Sequence, residues 1–383
     1  GLGDVYKRQK YIGASTHELD LFEGQYSIPN GMAYNSYVID DEKIAIMDTV
    51  DKIVTDKWLE NLKKALDGRE PEYLVVQHLE PDHSGNINTL LKMYEHLTLV
   101  CTAKAKAMLE QFDIEAENVM AVKEGDELSL GSHTLKFILA PMVHWPEVMI
   151  TYEESEKALF SADAFGKFGA LDVDEDWSCE ARRYYFGIVG KYGAQVQSVL
   201  KKAAALDIKI ICPLHGPWLC ENIPYYLNLY DIWSSYGVES DGVVIAYTSV
   251  YGHTEKAVNL LKAELENKGV KVPVFDLARC DMAEAVEDAF RYGKLVLATT
   301  TYNGDIFPFM KTFIEHLVER NFQNRTVGFI ENGSWAPQAS RIMRGMLEQQ
   351  KNLTLLDADV KIYSAVSDKN VAEIQALASA LLQ

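Results

Sequence analysis

The chain has 383 residues, 48% of them hydrophobic, and a formal net charge of −19 at pH 7. That length suits two or three domains with sizeable cores, and the acidic balance excludes nucleic acid as a partner because phosphate would be repelled. No repeat, low-complexity tract or long apolar run occurs, so neither a membrane span nor a secretory signal is expected. Five cysteines (Cys101, Cys179, Cys212, Cys220 and Cys280) show no C-x-x-C spacing. They read as reduced thiols of a cytoplasmic protein, with no paired motif for a thiolate-held iron.

The opening residues 1–9 lack Met and resemble no domain start, so the first domain is expected over 10–238 and they are left out of its fold. The first chemistry comes at Val75–Gly85, where an apolar run reads as a buried strand and delivers His78, Glu80, Asp82 and His83. Pro81 and Gly85 break regular structure around them and predict a tight loop at the strand's carboxyl end. Two imidazoles and two carboxylates this close are costly to bury unpaired, and a cation is their natural partner. Mixed His and carboxylate donors without Cys suit iron, manganese or zinc.

Three later strands end in the same way. Thr134–Ala140 leads to His144 in Pro-Met-Val-His-Trp-Pro-Glu, Ala158–Ala162 to Asp163, and Ile208–Cys212 to His215 in Pro-Leu-His-Gly-Pro. A lone His after a strand is usually an ordinary loop residue; four such loops together make a metal site. Seven donors suit two ions that share a carboxylate, since paired ions sit ~3.5–4 Å apart. His17, His96, His133, His253 and His316 have no such company and are not expected to bind metal.

A Ser- and Gly-bearing stretch, Ser234–Gly242, separates a second domain expected over 242–383. Val243–Tyr247 reads as a buried strand, followed by Thr248, Ser249, Val250, Tyr251, Gly252, His253 and Thr254 and then a helix from Glu255. Hydroxyls, backbone N–H groups and a helix N-terminus suit a phosphate. The turn lacks the Gly-Lys-[Ser/Thr] ending of a Walker loop and the glycine spacing of a dinucleotide fingerprint, so a monoester such as that of FMN fits best. Further strands are predicted at Val272–Phe275, Leu295–Thr299, Thr326–Ile330 and Val360–Tyr363, alternating with helices. Five such strands predict a doubly wound parallel sheet with its ligand at the strands' carboxyl ends. Two loops at that edge, Thr301, Tyr302, Asn303 and Gly304, and Asn332, Gly333, Ser334 and Trp335, offer aromatic faces and N–H groups to a ring.

The ligand loops resemble the metallo-β-lactamase fold, whose first motif is usually His-x-His-x-Asp-His. Glu80 stands where the second His would be, and a hard carboxylate there shifts preference from zinc towards iron. With the second half, the chain resembles the flavodiiron proteins. The resemblance implies an α/β architecture in which a metallo-β-lactamase-like αββα sandwich precedes a flavodoxin-like doubly wound parallel sheet. It implies one iron ion held by His78, Glu80 and His144, a second by Asp82, His83 and His215, and Asp163 bridging the two. It further implies FMN as the second cofactor and reduction of O2 to water, of NO to N2O, or of both. Electrons would come from a separate donor such as rubredoxin, and a head-to-tail homodimer, or a dimer of dimers, would bring one subunit's FMN to the other's iron. The alternative from the same fold is a dinuclear zinc metallohydrolase fused to a flavodoxin-like domain.

Overall fold

Short strands rich in Val, Ile and Leu dominate the chain up to Asp231, where the computed structural model divides it into two units. Residues 4–6 and 9–383 are described. Asp4–Tyr6 pairs antiparallel with Gln9–Tyr11, so part of the opening stretch enters the sheet after all, while residues 1–3, 7 and 8 lie outside the described residues.

In the first unit one seven-stranded sheet runs, in spatial order, Asp4–Tyr6, Gln9–Tyr11, Tyr37–Ile39, Ala45–Met47, Tyr73–Val75, Thr98–Thr102 and Val119–Val122. The last four are mutually parallel. A five-stranded sheet runs Glu127–Ser129, Thr134–Leu139, Met149–Glu153, Ala158–Phe160 and Ile210–Cys212. Most strands are only three residues long, too short to stand on ladder bonds alone. Burial holds them. Ile39, Met47, Val75 and Val100 of one sheet and Leu135, Phe137, Met149 and Phe160 of the other form one core, as two facing sheets require. Each such side chain contributes ~1.5–3 kcal/mol when fully buried. Helix Thr55–Leu66 adds a layer, burying Trp58, Leu62, Ala65 and Leu66 at helical spacing and ending at Asp67 in the left-handed region.

In the second unit the parallel order is Val274–Asp276, Ser240–Tyr247, Tyr292–Tyr302 and Thr326–Asn332, with Thr354–Leu355 and Val360–Ile362 both along the outer side of the last. Strand order 2-1-3-4-5 is that of the flavodoxin-like doubly wound sheet. Helices His253–Glu266, Met282–Arg291, Pro308–Glu319 and Ala339–Leu347 connect the strands, and Asp368–Leu381 follows the last of them. Val272–Phe275 shortens to Val274–Asp276, consistent with Pro273 having no N–H for a ladder. No helix among the described residues is long and apolar enough to cross a membrane.

Candidate metal centre and phosphate-binding pocket

The four ligand loops of the first unit converge. His78 and Glu80 follow strand Tyr73–Val75, but the tight loop expected to carry Asp82 and His83 is a single helical turn, Pro81–Ser84. Proline is preorganised for the first helical position, so it starts a turn here instead of breaking one. His144 follows Thr134–Leu139, Asp163 follows Ala158–Phe160, and His215 follows Ile210–Cys212.

All seven candidate side chains come together in two groups. His78, Glu80, His144 and Asp163 offer donor atoms within 4.8 Å of one another, and so do Asp82, His83 and His215. Asp163 faces both groups. Its Oδ2 lies 3.1 Å from His144 Nε2 and 3.3 Å from His78 Nε2, while its Oδ1 lies 3.0 Å from His83 Nε2 and 3.6 Å from His215 Nε2. Glu80 Oε2 is 3.1 Å from His144 Nε2 and 3.2 Å from His78 Nε2. Asp82 Oδ2 is 3.3 Å from His215 Nε2 and 3.4 Å from His83 Nε2.

These groups fit metal ions better than they fit one another. Both carboxylate oxygens of Asp82, both ring nitrogens of His83, His215 Nε2 and Asp163 Oδ1 are buried and make no hydrogen bond. Leaving so many polar atoms unpaired costs ~1–3 kcal/mol each, and a pair of cations facing the same atoms removes that cost. The charges lean the same way. Burial opposes the imidazolium of His83, yet Asp82 and Asp163 push its pKa up to about 9. Burial likewise opposes protonation of His144, and Asp163 and Glu80 raise it to about 9. Such a pocket collects positive charge, as protons or as metal.

Residues behind the ligands fix their orientation. His78 Nδ1 is 2.8 Å from Glu147 Oε1, which also accepts the Leu79 N–H at 2.9 Å. His215 Nδ1 donates to the Ala33 carbonyl at 2.8 Å. A carbonyl can only accept, so Nδ1 keeps the proton and Nε2 keeps its lone pair for a metal. Asp48, fully buried, accepts the N–H and Nε2–H of Gln77 at 2.7 and 2.9 Å. Tyr34, Tyr184 and Phe22 pack their rings against His215, and Trp145 packs edge-on against His78. Sequence reasoning assigned no role to Glu147 or Asp48. Glu147 had a legible signal, a carboxylate three residues after His144; Asp48 had none. The five other histidines stand outside both groups: His133, for instance, pairs with Asp41 at 2.7 Å and His17 with Asp172 at 2.9 Å. None of the five cysteines forms a disulfide.

The second unit holds a cavity of about 490 Å³ at its strands' carboxyl ends, a size suited to a small-molecule cofactor. Ser249, Val250, Tyr251, His253 and Thr254 line it, with Thr301, Tyr302, Asn303, Gly304, Asn332, Gly333, Ser334 and Trp335. Thr300, Ala336, Gln338 and Ser364 join them. Ser364 follows the final strand, where the strand-end rule points but no motif marks it. Thr248 and Gly252 shape the first turn from behind: Thr248 Oγ1 bonds Thr299 Oγ1 at 2.6 Å, and Gly252, at φ 90°, donates its N–H to Ser249 Oγ at 3.1 Å. Helix His253–Glu266 begins at this turn and presents its N-terminus to the cavity. Tyr251 and Trp335 are 91% and 83% exposed, apolar faces with nothing of their own unit over them.

Comparison with known proteins agrees with both halves. A family model described as ODP family beta lactamase matches residues 32–216, and one described as a flavodoxin domain matches 244–358. The chain is 33% identical over 276 residues to Diflavin flavoprotein A 1 of Synechocystis sp., covering 70% of this chain and 48% of that protein; it therefore spans about half the length of that relative. It is 29% identical over 355 residues to a nitric oxide reductase of Moorella thermoacetica, covering 89% of this chain and 88% of the relative. Rubredoxin oxygen:oxidoreductase from Desulfovibrio gigas has the same fold, with a TM-score of 0.92 over 100% of this chain and 98% of that one at 24% identity.

Proposed function

The chain belongs to the flavodiiron proteins, and on that premise we propose that it is a cytoplasmic oxidoreductase reducing O2 to water, NO to N2O, or both. The observation that carries this reading is Asp163, whose two oxygens face two separate donor groups. A carboxylate so placed suits two ions side by side.

In this reading His78, Glu80 and His144 would hold one iron, Asp82, His83 and His215 would hold the other, and Asp163 would serve both. Bound there, the iron pair would supply exchangeable coordination positions and electrons, replenished one at a time through FMN. The chain's own residues do the rest. Glu147 and the Ala33 carbonyl keep the Nε2 lone pairs of His78 and His215 aimed at the metals. Tyr34, Tyr184 and Phe22 wall one side and limit water. In the second unit the hydroxyls of Ser249 and Thr254 and the helix N-terminus at His253 would hold the phosphate of FMN. Tyr302 and Trp335, both lining the cavity, would offer aromatic faces to its ring. Electrons would come from a separate carrier such as rubredoxin, and a head-to-tail homodimer, alone or paired into a tetramer, would join one subunit's FMN to the other's iron.

The test is anaerobic reduction followed by stopped-flow challenge with O2 and with NO, after iron and FMN have been quantified. The expected result is two irons and one FMN per chain and flavin reoxidation by at least one gas. Zinc in place of iron, with ester or phosphodiester hydrolysis that ignores the flavin, would overturn it.

A further inference from the structure

The two donor groups are matched in their ligands. Each has two histidines and one carboxylate of its own, Glu80 or Asp82, and Asp163 faces both. The ligands alone therefore give no reason for the two positions to differ. The residues behind them do.

His78 Nδ1 meets the carboxylate of Glu147 at 2.8 Å, and both side chains are wholly buried. In the other group His215 Nδ1 meets only the neutral Ala33 carbonyl at 2.8 Å, and His83 Nδ1 is buried without a hydrogen bond. Lys167 packs on Gly216 beside His215, and Glu175, 2.6 Å from its Nζ, offsets its charge. Asp48 interacts with a ligand of each group, His83 and His78, but its hydrogen bonds go to Gln77 and not to a ligand imidazole. Glu23 sits near Glu80 and His144, but its side-chain partner there is the Glu80 carboxylate and not an imidazole nitrogen. One buried anion bonded to a ligand imidazole is left, and it serves one group only.

We propose that Glu147 is a positioning residue that makes the two metal positions electronically unequal, so that the ion held by His78, Glu80 and His144 gives up its electron first. The inference rests on the flavodiiron reading. A carboxylate accepting the Nδ1–H of a ligand imidazole raises that ligand's basicity and stabilises the higher metal charge. Removing one electron from the diferrous pair, with a one-electron oxidant such as ferricyanide as acceptor, then leaves a ferric ion at the His78 position and a ferrous ion at the His215 position.

The test uses the full chain loaded with 57Fe and FMN, both quantified, and poised anaerobically in graded steps with ferricyanide. Mössbauer spectra follow each position's oxidation. The wild type is expected to oxidise in two separated steps. Glu147→Gln keeps an acceptor for His78 and Leu79 but removes the charge. It should shift the first step alone by about tenfold in its equilibrium, ~59 mV for one electron, and alter the spectrum of the first ion to oxidise. Glu147→Asp, with the charge kept and drawn back, should fall between wild type and Glu147→Gln. If Glu147→Gln fails to retain two irons, the narrowing in Glu147→Asp carries the test. Two irons bound with both steps unmoved by these variants, or a change confined to the second ion, overturns the proposal and leaves the functional reading standing. A wild type that does not bind two irons overturns both.

Discussion

Asp163 has no substitute among the described residues of the first unit, because no other carboxylate described there puts one oxygen before each donor group. Asp163→Ala is expected to lose bound iron and to slow gas reduction more than about 100-fold, beyond the usual cost of disturbing a residue behind a metal ligand. Its FMN content and reducibility should be unchanged, and retained turnover would sink the bridging role. The imidazoles of the same pocket predict a pH dependence. Burial resists their protonation, but neighbouring carboxylates raise His83 and His144 to about 9, against ~6.5 for an unperturbed histidine. With folded-state pKa values raised, proton binding stabilises the metal-free chain fully below pH ~6.5, and that stability is lost as pH climbs through about 9. Chelator-treated protein should thus melt at a lower temperature at pH 10 than at pH 7, by roughly 2–3 kcal/mol for one such histidine. The two histidines share carboxylates, so their effects will not add. Iron-loaded protein should show the reverse at the acid end, because protons compete with the metal for the same nitrogens. Equal melting of the chelated protein at both pH values would contradict the charge balance described here.

Each ligand follows a strand, Asp82 and His83 by way of the helical turn Pro81–Ser84, so the turns after those strands set its aim. Gly216 follows His215 at φ 82°, and a Cβ there would meet Lys167 Cγ at 2.6 Å. Gly216→Ala should therefore cost the backbone strain, ~1–2 kcal/mol, plus the displacement of Lys167 from Glu175. Gly125 makes a clean control, with φ 80° and nothing within 4 Å of an added Cβ. Gly125→Ala should pay the strain alone. Denaturant midpoints give the difference, and iron analysis should show loss from Gly216→Ala but not from Gly125→Ala; equal losses would dismiss the crowding argument. These turns also explain what could be read from sequence. Apolar runs announced the strands, since burial and β-branched content are written locally, and their ends gave the ligand loops. The turn Pro81–Ser84 was misjudged because proline both breaks and begins helices, and only the downstream chain decides which. Strand limits also differed: Leu295–Thr299 is the middle of Tyr292–Tyr302, whose added residues gain their pairing from neighbouring strands. Glu147 and Asp48 act on side chains from other segments, so their roles emerge only once the sheets are stacked.

For the whole molecule, the proposed head-to-tail dimer carries a consequence that a self-sufficient monomer does not. If electrons pass from one subunit's FMN to the other's iron, two differently disabled chains should complement each other. Asp163→Ala removes the metal site and leaves the flavin pocket whole. Ser249→Glu places a carboxylate among the residues lining the phosphate turn and should repel the phosphate of FMN while leaving the first unit intact. Each homodimer then lacks one required cofactor and should be inactive. A mixed dimer holds one good flavin and one good iron pair, on different chains, facing each other across the two-fold interface. Random reassembly of equal amounts makes half the dimers mixed, each with one of two routes working, so roughly a quarter of wild-type activity should return. Sedimentation of the mixture must show dimers or tetramers for the comparison to count in the dimer's favour. A sedimenting monomer with full wild-type activity, or a reassembled mixture that stays inactive, would place the electron route within one chain and remove the reason for the dimer.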